Sequence, residues 1–588
     1  MLNSFGSISP LDYIVVAAYF TIIIFVGVVF SKYVKQAKDY FAAGAAVPWW
    51  LAGVSLWMAS FSALMFVVYS QLAYKYGFVA ITFTWVAVPA MILAAFFFSG
   101  RWRRTRVMTP LGFMEQRYNS FVHQIFVWTG IPLRLIDNSI KIYSTAVFMV
   151  VAVGQSWFTL GMCIGLVGII MILYTILGGQ WAVIVTDFIQ FIILVFAVLI
   201  LLPLSLISVG GIGGFIEKSP AGFFNFFSAM NQPYNFFDWL MFAVIIGISY
   251  NATWSLVQKY NCVATETDAK KVAILMGVLS FVGPLVFFIP AMSGRILLPD
   301  LTSNGDLTKY TYVLVCLKLL PAGVMGLMVS AIFSATLSTL GSEYNVLSGV
   351  LTKDFYGKMI NPHADEKKLV LWGRINTFLI GTITIFVAFG IDFIKGYNIY
   401  DIMNKAVGAL GPAIMLPLLG GLFFRKINSK GAISGVLFGT LTGIGLVLLN
   451  VLLLSIYKDR LADDATLSYW LKQGYNSISI GVNLIVTLLG MWIGSSLTKA
   501  PADEQKRVEE FFSRMSIPTD AKIEKVKDSR RSPFYAVGIA SMSLSSVVII
   551  IGAILYFMGD SRAFLIDGVS GGLMFLVGFA LWFGTLKR

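Results

Sequence analysis

The sequence predicts an all-α polytopic membrane protein. Of the 588 residues, 58% are hydrophobic and only 12% are charged, whereas soluble domains carry about 25% charged residues. Uncharged stretches of the roughly 20 residues that a spanning helix needs recur along nearly the whole chain. We expect about fifteen transmembrane helices, which begin near residues 11, 48, 78, 121, 157, 181, 237, 271, 321, 369, 399, 431, 476, 534 and 565.

The composition also excludes several soluble classes of protein. The net charge is +14, but no compact basic domain of the kind that binds nucleic acid is present. Three well-separated cysteines (Cys163, Cys262, Cys316) and two histidines (His123, His363) give neither a disulfide scaffold nor a Cys/His metal cluster. No nucleophile triad or pair of catalytic carboxylates is visible. We therefore expect no enzyme, no cofactor and no nucleic-acid partner.

The basic residues predict the orientation in the membrane. If the N-terminus lies outside, 30 of the 43 Lys and Arg residues fall in cytoplasmic loops and 9 in the opposite loops, as the positive-inside rule requires. An odd helix count then leaves the C-terminus in the cytoplasm. The chain is thus expected to be a multi-pass protein of a cell membrane. Short loops and the lack of paired extracellular cysteines favour a bacterial inner membrane.

Two predicted spans, the second and the seventh, look interrupted. Small or polar residues occupy Ser55–Ser62 and Gly247–Ala252. Breaks at corresponding positions of two halves are typical of transporter binding sites, because unwound backbone can coordinate ions. Their spacing of five spans predicts a five-plus-five inverted repeat. The segments are a leading helix and cytoplasmic loop (1–47), a first repeat (48–208), an external loop (209–236), a second repeat (237–430), two further helices (431–498), a charged amphipathic cytoplasmic linker (499–531) and two C-terminal helices (532–588).

Ionisable and hydroxyl groups inside spans are candidates for function. Asp187 lies early in a span, where it either binds a cation or proton or pairs with a basic loop at the membrane edge. In the run Ser330–Thr339 and Ser342, positions 335, 338, 339 and 342 share one helix face. Hydroxyl and carbonyl oxygens there suit Na⁺. Alternatively, the hydroxyls bond back to the preceding turn.

Two further charged groups lie in predicted spans. Arg134, Asp137 and Lys141 align on one helix face, either as a self-satisfied cluster or with a cation available to an anionic or hydroxylated solute. Asp401, Asn404 and Lys405 begin another span. There Lys405 can simply extend to the membrane interface.

Several stretches together resemble the sodium/solute symporter family, which contains sodium/glucose, sodium/proline and sodium/sialic acid transporters. These stretches are Asp39–Gly44 with Pro48-Trp-Trp50, Gly178–Gln190, Ser330–Asn345 with Asp354-Phe-Tyr356, and Gly420–Val436. The resemblance covers about residues 10–455. It implies a LeuT-type inverted repeat that works by alternating access, in which Na⁺ enters downhill and drives a solute inward.

The resemblance also implies cation sites. Na⁺ would be bound by the backbone carbonyls of Met58, Phe61 and Ala335 and by the hydroxyls of Ser338 and Thr339. A second cation site, present in some members, would use Asp187, Ser338 and Ser342. Gly341 stands where such members carry another serine, so a ratio of two Na⁺ per solute is doubtful.

The positions that match the family's solute pocket depart from its usual sugar-binding residues. The matching positions are Met65, Thr84, Ser280 and Asn404, of which Asn404 could replace the usual glutamine. By position, Phe83, Ser249 and Tyr250 would be stacking or gating neighbours of the solute. Met65 is a poor partner for a hydroxyl and Ser280 replaces a lysine, so a typical glucose pocket is not predicted. Arg134 resembles the arginine that meets a carboxylate in acid-sugar transporters of the family. We expect a sugar or sugar acid as the solute.

The predicted function is Na⁺-coupled symport of a small polar solute by alternating access. Its partners would be the solute, Na⁺ as coupling ion and the lipid bilayer. Two alternatives remain open at this point. One is a proton-coupled symporter of the same fold that uses Asp187, and the other is a solute-binding membrane sensor without coupled transport.

Overall fold

The computed structural model describes residues 7–31, 41, 43–107, 109–154, 158–302, 305–393, 399–461, 463–519 and 533–586. Within these ranges the chain is helical and contains no strand. The all-α polytopic prediction is therefore confirmed. The side chains of 399–404 lie outside the described part, as do residues 32–40 and 520–532 of the predicted segments 1–47 and 499–531.

The helices follow one another with short connections, several of them through π-helical turns such as Met65–Tyr69 and Val350–Ile360. In chain order they are α1 Pro10–Ser31, α2 Trp49–Ala59, α3 Ser70–Tyr76, α4 Val79–Thr84, α5 Ala87–Leu93, α6 Ser99–Arg104, α7 Gly112–Arg117, α8 Ser120–Val153, α9 Leu160–Val209, α10 Gly211–Lys218, α11 Phe236–Ala252, α12 Trp254–Asn261, α13 Glu266–Leu297, α14 Thr311–Leu319, α15 Val324–Gly349, α16 Glu366–Phe393, α17 Ile399–Phe423, α18 Ser429–Ile456, α19 Ala465–Tyr469, α20 Tyr475–Ser496, α21 Ala502–Ser516, α22 Pro533–Phe557 and α23 Ser561–Leu586.

In the described part of the chain, twelve helices are long and apolar enough to span a membrane, and a bent pair formed by α11 and α12 would make a thirteenth. Two shorter apolar helices, α2 and Leu160–Ile176, could complete the predicted number. The second of these ends before Gly179, whose φ of 58° and ψ of −173° interrupt α9. The count of about fifteen stays a prediction.

Both predicted helix breaks are present. α2 ends at Ala59, and helical structure resumes just before Met65. Ser60 Oγ donates to the carbonyl of Trp57 at 2.7 Å, a local bond that competes with helix continuation. The second break falls at Thr253, whose extended backbone separates α11 from α12 by a bend of 49°. Each break lies at the C-terminal end of its predicted segment or just beyond it.

Helix α15 lies at the centre of the protein. Every residue from Val324 to Gly349 is buried, and the helix packs against α1, α2, α8, α9 and α16. In contrast, α22 and α23 pack mainly on each other. The helix with the hydroxyl run is therefore enclosed by protein on all sides. Its polar atoms must find partners there, because unpaired polar groups in such surroundings are costly.

The cytoplasmic segment predicted at 499–531 contains the amphipathic helix α21. Phe511 on this helix is buried. Glu504 accepts a hydrogen bond from the backbone N–H of Ser429 at 2.6 Å, at the beginning of α18. The described part of this segment is thus packed onto the ends of the spanning helices.

Candidate sodium and solute sites

The predicted sodium ligands meet at the first helix break. The Thr339 hydroxyl of α15 lies 3.3 Å from the carbonyl oxygen of Met58 and 3.0 Å from that of Ala335. It also contacts the carbonyl of Phe61. These oxygens come from two elements, the end of α2 and the middle of α15, so a cation held here would join the two.

The break itself supplies the carbonyls. Because α2 stops at Ala59, its regular hydrogen-bond ladder ends there, and the Met58 carbonyl accepts from the N–H of Phe61 at 3.1 Å. A cation at the break would bind to the remaining lone pairs of these oxygens. Helix α15 also fastens the unwound chain, since Thr336 Oγ1 accepts from the N–H of Ala63 at 3.0 Å. Thr336 receives a second hydrogen bond from Thr145 of α8 at 2.8 Å. The unwound segment is therefore held in place on the side facing α15.

Ser338 completes the predicted ligand set. Its Oγ is buried and has no hydrogen-bond partner of good geometry among the described residues. Its side chain lies near the Asp187 carboxylate, and its lone pairs remain available. A hydroxyl is a hard, neutral oxygen ligand, which suits an alkali cation better than a soft metal. The five oxygens belong to Met58, Phe61, Ala335, Ser338 and Thr339.

The predicted second cation site has a different composition. Asp187 of α9 accepts a hydrogen bond from Ser55 of α2 on its Oδ2 atom. Lys259 Nζ of α12 lies 3.6 Å from the same oxygen and donates to Ser342 Oγ at 3.0 Å. The Lys259 and Asp187 side chains are both fully buried. An ammonium group thus lies where a bound cation was predicted, and sequence analysis did not identify Lys259 as a site residue.

A cavity of about 170 Å³ adjoins the first break. Thr339 lines it, so the cavity and the predicted sodium ligands share a residue. Its other polar lining residues are Ser60, Ser62, Arg134, Asp137, Lys141, Ser249, Tyr250, Thr253, Ser255 and Glu343. Apolar side chains such as Met65, Leu133, Phe242 and Met415 form the remaining wall. A mostly apolar wall with a few convergent polar groups is typical of a small-molecule site.

The charged groups of this cavity form two pairs. Arg134 lies 3.4 Å from Glu343 Oε1, and Ser255 donates to the same oxygen. The other carboxylate oxygen of Glu343 is buried and has no partner among the described residues. Lys141 pairs with Asp137 at 2.6 Å. Arg134 is therefore paired across the cavity rather than with Asp137, its neighbour on the same helix face.

The predicted solute positions separate into three groups. Met65, Arg134, Ser249 and Tyr250 line the large cavity. Thr84 and Ser280 line a neighbouring cavity of about 30 Å³, which shares Met65 and Tyr250 with the large one. Phe83 lines a third, of about 40 Å³, where its ring packs against Tyr234 and Phe242. The Asn404 side chain lies outside the described part of the chain.

Comparison with known proteins agrees with this architecture. The family model described as the sodium:solute symporter family matches residues 40–439. The sodium/sialic acid symporter NanT of Aliivibrio fischeri is 26% identical over 457 residues, which cover 74% of this chain and 86% of that protein. The sodium/glucose cotransporter of Vibrio parahaemolyticus is 26% identical over 473 residues, with coverage of 74% and 85%.

The fold is also found among solved structures. A substrate-bound, outward-open Na⁺-coupled sialic acid symporter superposes with a TM-score of 0.71 at 21% identity. The match covers 84% of this chain and 99% of that one, and it supports a LeuT-type core. The family model spans more than half of the sequence, so the chain belongs to the sodium:solute symporter family, and Na⁺-coupled symport of a small solute follows from that membership.

Proposed function

We propose that this protein carries a sugar or sugar acid by alternating access, with Na⁺ bound at Met58, Phe61, Ala335, Ser338 and Thr339. The observation that carries the proposal is the position of Thr339, which contacts the carbonyls at the break and lines the adjacent cavity. A cation at the break would fix the end of α2 against α15 and so shape the cavity wall. By linkage, the solute must then raise the affinity for Na⁺ by the same factor.

The cavity suits a hydroxylated solute. Glu343 offers an unpaired carboxylate oxygen to a hydroxyl donor, and the hydroxyls of Ser249 and Ser255 lie in the same wall. A carboxylate on the solute could be met by Arg134 or Lys141, the two cations of the cavity. The relatives named for sialic acid and for glucose are consistent with either kind of solute.

Sodium is favoured over protons as the coupling ion. A buried carboxylate is available at Asp187, but Lys259 already balances its charge. The uncharged oxygens at the first break have no such internal cation among the described residues. Asp187 is therefore not proposed as a proton-coupling group, and thermal unfolding at different pH values would reveal such a role.

We also propose that the N-terminus lies outside and the C-terminus in the cytoplasm of a bacterial inner membrane. The natural cysteines are all buried, so single exposed cysteines can report the orientation. Ser513→Cys in α21 should react with a membrane-impermeant thiol reagent only after the cells are opened. Ala221→Cys, in the 209–236 segment, should react in intact cells. The reverse pattern would overturn the orientation.

The function is tested by thermal unfolding of the purified protein in Na⁺ and in K⁺, with a panel of sugars, sugar acids, amino acids and carboxylates. A ligand that binds only the folded state raises the melting temperature by mass action. We expect a sugar or sugar acid to do so in Na⁺ and to have a much smaller effect in K⁺. Identical curves in both salts for every solute would contradict Na⁺ coupling. A pH-dependent, Na⁺-independent response lost in Asp187→Asn would establish proton coupling instead.

A further inference from the structure

We propose that the Lys259 ammonium is the built-in cation of the pocket formed by Ser55, Asp187 and Ser342, so that this protein binds one Na⁺ and has no second sodium site. The inference rests on the proposed sodium site at the first break. It goes beyond that site by assigning a role to Lys259. It also fixes the number of ions that accompany each solute.

The first argument is geometric. Lys259 Nζ donates to Ser342 Oγ at 3.0 Å and lies 3.6 Å from Asp187 Oδ2. Two of the oxygens that would bind a second Na⁺ are therefore already in contact with an ammonium group. Asp187 Oδ2 is also the acceptor of the Ser55 hydroxyl, so this oxygen contacts two groups, whereas Oδ1 is buried and has no hydrogen-bond partner among the described residues.

The second argument is charge. Asp187 and Lys259 are each fully buried, and together they are electrically neutral. An additional Na⁺ between them would leave a net positive charge in a protein interior within the membrane. Such a charge is expensive without a partner. At the first break the proposed ligands are neutral oxygens, so a bound Na⁺ there would have no competing internal cation among the described residues. The ammonium group of Lys259 contacts Ser342, on the next turn of α15.

The third argument is the missing ligand at position 341. Gly341 has no side-chain oxygen, and a Cβ built there would lie 3.1 Å from Tyr174 Cε1 and 3.7 Å from Val183 Cγ2. A serine at this position would need the Tyr174 ring to move by a few tenths of an ångström. The packing is thus adapted to a glycine, and position 341 supplies no hydroxyl ligand to the pocket.

The ammonium also has a structural consequence. Lys259 belongs to α12, the second half of the bent span, and it reaches α9 and α15. Ser55 connects α2, the first broken span, to the same carboxylate. Lys259 thus links the second broken span to α15. The bound Na⁺ is proposed to link the first broken span, which contains α2, to the same helix. Unlike Na⁺, Lys259 cannot leave during a transport cycle.

The test counts bound ions. Purified full-length protein is equilibrated with radioactive sodium, and the moles bound per mole of protein are measured at saturation. We expect one for the wild type. In Lys259→Met the uncompensated Asp187 should recruit a second Na⁺, giving two. In Lys259→Met/Asp187→Asn the neutral pocket should return the count to one.

The outcomes separate the inference from the proposed function. No bound sodium on the wild type would remove the proposed sodium site itself. Two sodium ions on the wild type, or a count of one in a folded Lys259→Met protein, would overturn the role assigned to Lys259. Should Lys259→Met fail to fold, Ser342→Ala decides the matter. It should leave the count at one and the sodium Kd within about twofold, whereas a sodium ligand at Ser342 would make the count or the affinity fall.

Discussion

Two clusters on successive turns of α15 differ in where their positive charge comes from. In the cluster of Ser338 and Thr339, the Thr339 hydroxyl contacts the backbone carbonyls of Met58 and Phe61 at the first break. At Ser342 the partner is the ammonium of Lys259, which also lies beside Asp187. The first cluster consists of neutral groups, and its Ser338 hydroxyl has no hydrogen bond of good geometry to any described residue. The second cluster holds a carboxylate and its own counter-ion.

The difference shows how one helix face can support one exchangeable ion and one permanent ionic contact. Neutral oxygens can release a cation without leaving a buried charge behind. A carboxylate cannot do so in a membrane interior, because its unpaired charge would be costly. A tethered ammonium removes that cost in every state of the cycle. The four predictions below test this division, from the largest expected effect to the smallest.

The largest effect is expected on stability when the tethered cation is removed. In K⁺ buffer, Lys259→Met should lose about 3–5 kcal/mol of folding free energy, because Asp187 is left buried and unpaired. The loss is measured as a fall in melting temperature. Lys259→Met/Asp187→Asn is the matched control and should recover most of it. Equal melting temperatures for wild type and Lys259→Met would show that Asp187 does not depend on this lysine.

Removal of a sodium ligand should act on ion affinity. Thr339→Ala removes the hydroxyl that contacts the carbonyls of Met58 and Phe61, and should weaken sodium binding at least tenfold, or about 1.4 kcal/mol. Sodium titration of the melting temperature measures the change. Ser330→Ala is the control on the same helix, because the Ser330 hydroxyl donates to the carbonyl of Gly326 one turn earlier. The assignment fails if both variants respond to sodium like the wild type.

Solute affinity should depend on Glu343 rather than on the residues of the neighbouring small cavity. Glu343→Gln keeps the shape of the side chain but removes the charged acceptor, whose hydrogen bonds are each worth about 1.5–3 kcal/mol. At saturating Na⁺ we expect solute affinity to fall at least tenfold. Ser280→Ala, in the smaller cavity, should change it less than twofold. Both affinities are measured in binding assays with the solute identified by thermal unfolding. A larger effect of Ser280→Ala would place the solute in the smaller cavity instead.

The smallest effect is expected at a hydroxyl of α15 that belongs to neither cluster. Ser334 donates to Tyr19 of α1 at 2.9 Å. Ser334→Ala should cost about 1 kcal/mol of stability, the usual value for one hydrogen bond, with no change in sodium affinity. Thermal unfolding at several sodium concentrations measures both quantities. A sodium-dependent loss would extend the ion site beyond the first break.

The hydroxyl face of α15 could be predicted from local periodicity, whereas the full set of proposed sodium ligands came from the family resemblance. Helical spacing places 335, 338, 339 and 342 on one face, and the interrupted run Ser55–Ser62 indicates free carbonyls nearby. Glu343 could have been found in the same way. It follows Thr339 by four residues, so the two lie on neighbouring turns of one face.

The charge partners were not predictable from spacing. Lys259 and Asp187 are separated by 72 positions in the sequence, and only the packing of α12 against α9 and α15 brings them together. The aligned positions of Arg134 and Asp137 suggested a pair on one helix, but the structure pairs Arg134 with Glu343 of another. Phe83 lines a smaller cavity that shares Phe242 with the large one, and its place beside the solute stays a prediction. Contacts between distant helices decide each of these cases.

The most direct test of the division between the two clusters is an experimental structure determined in sodium chloride at a resolution that shows single ions. We predict one isolated density peak among the oxygens of Met58, Phe61 and Thr339. The density between Asp187 and Ser342 should be continuous with the Lys259 side chain. A second isolated peak beside Asp187 with Lys259 turned away, or no peak at the first break, would contradict the account.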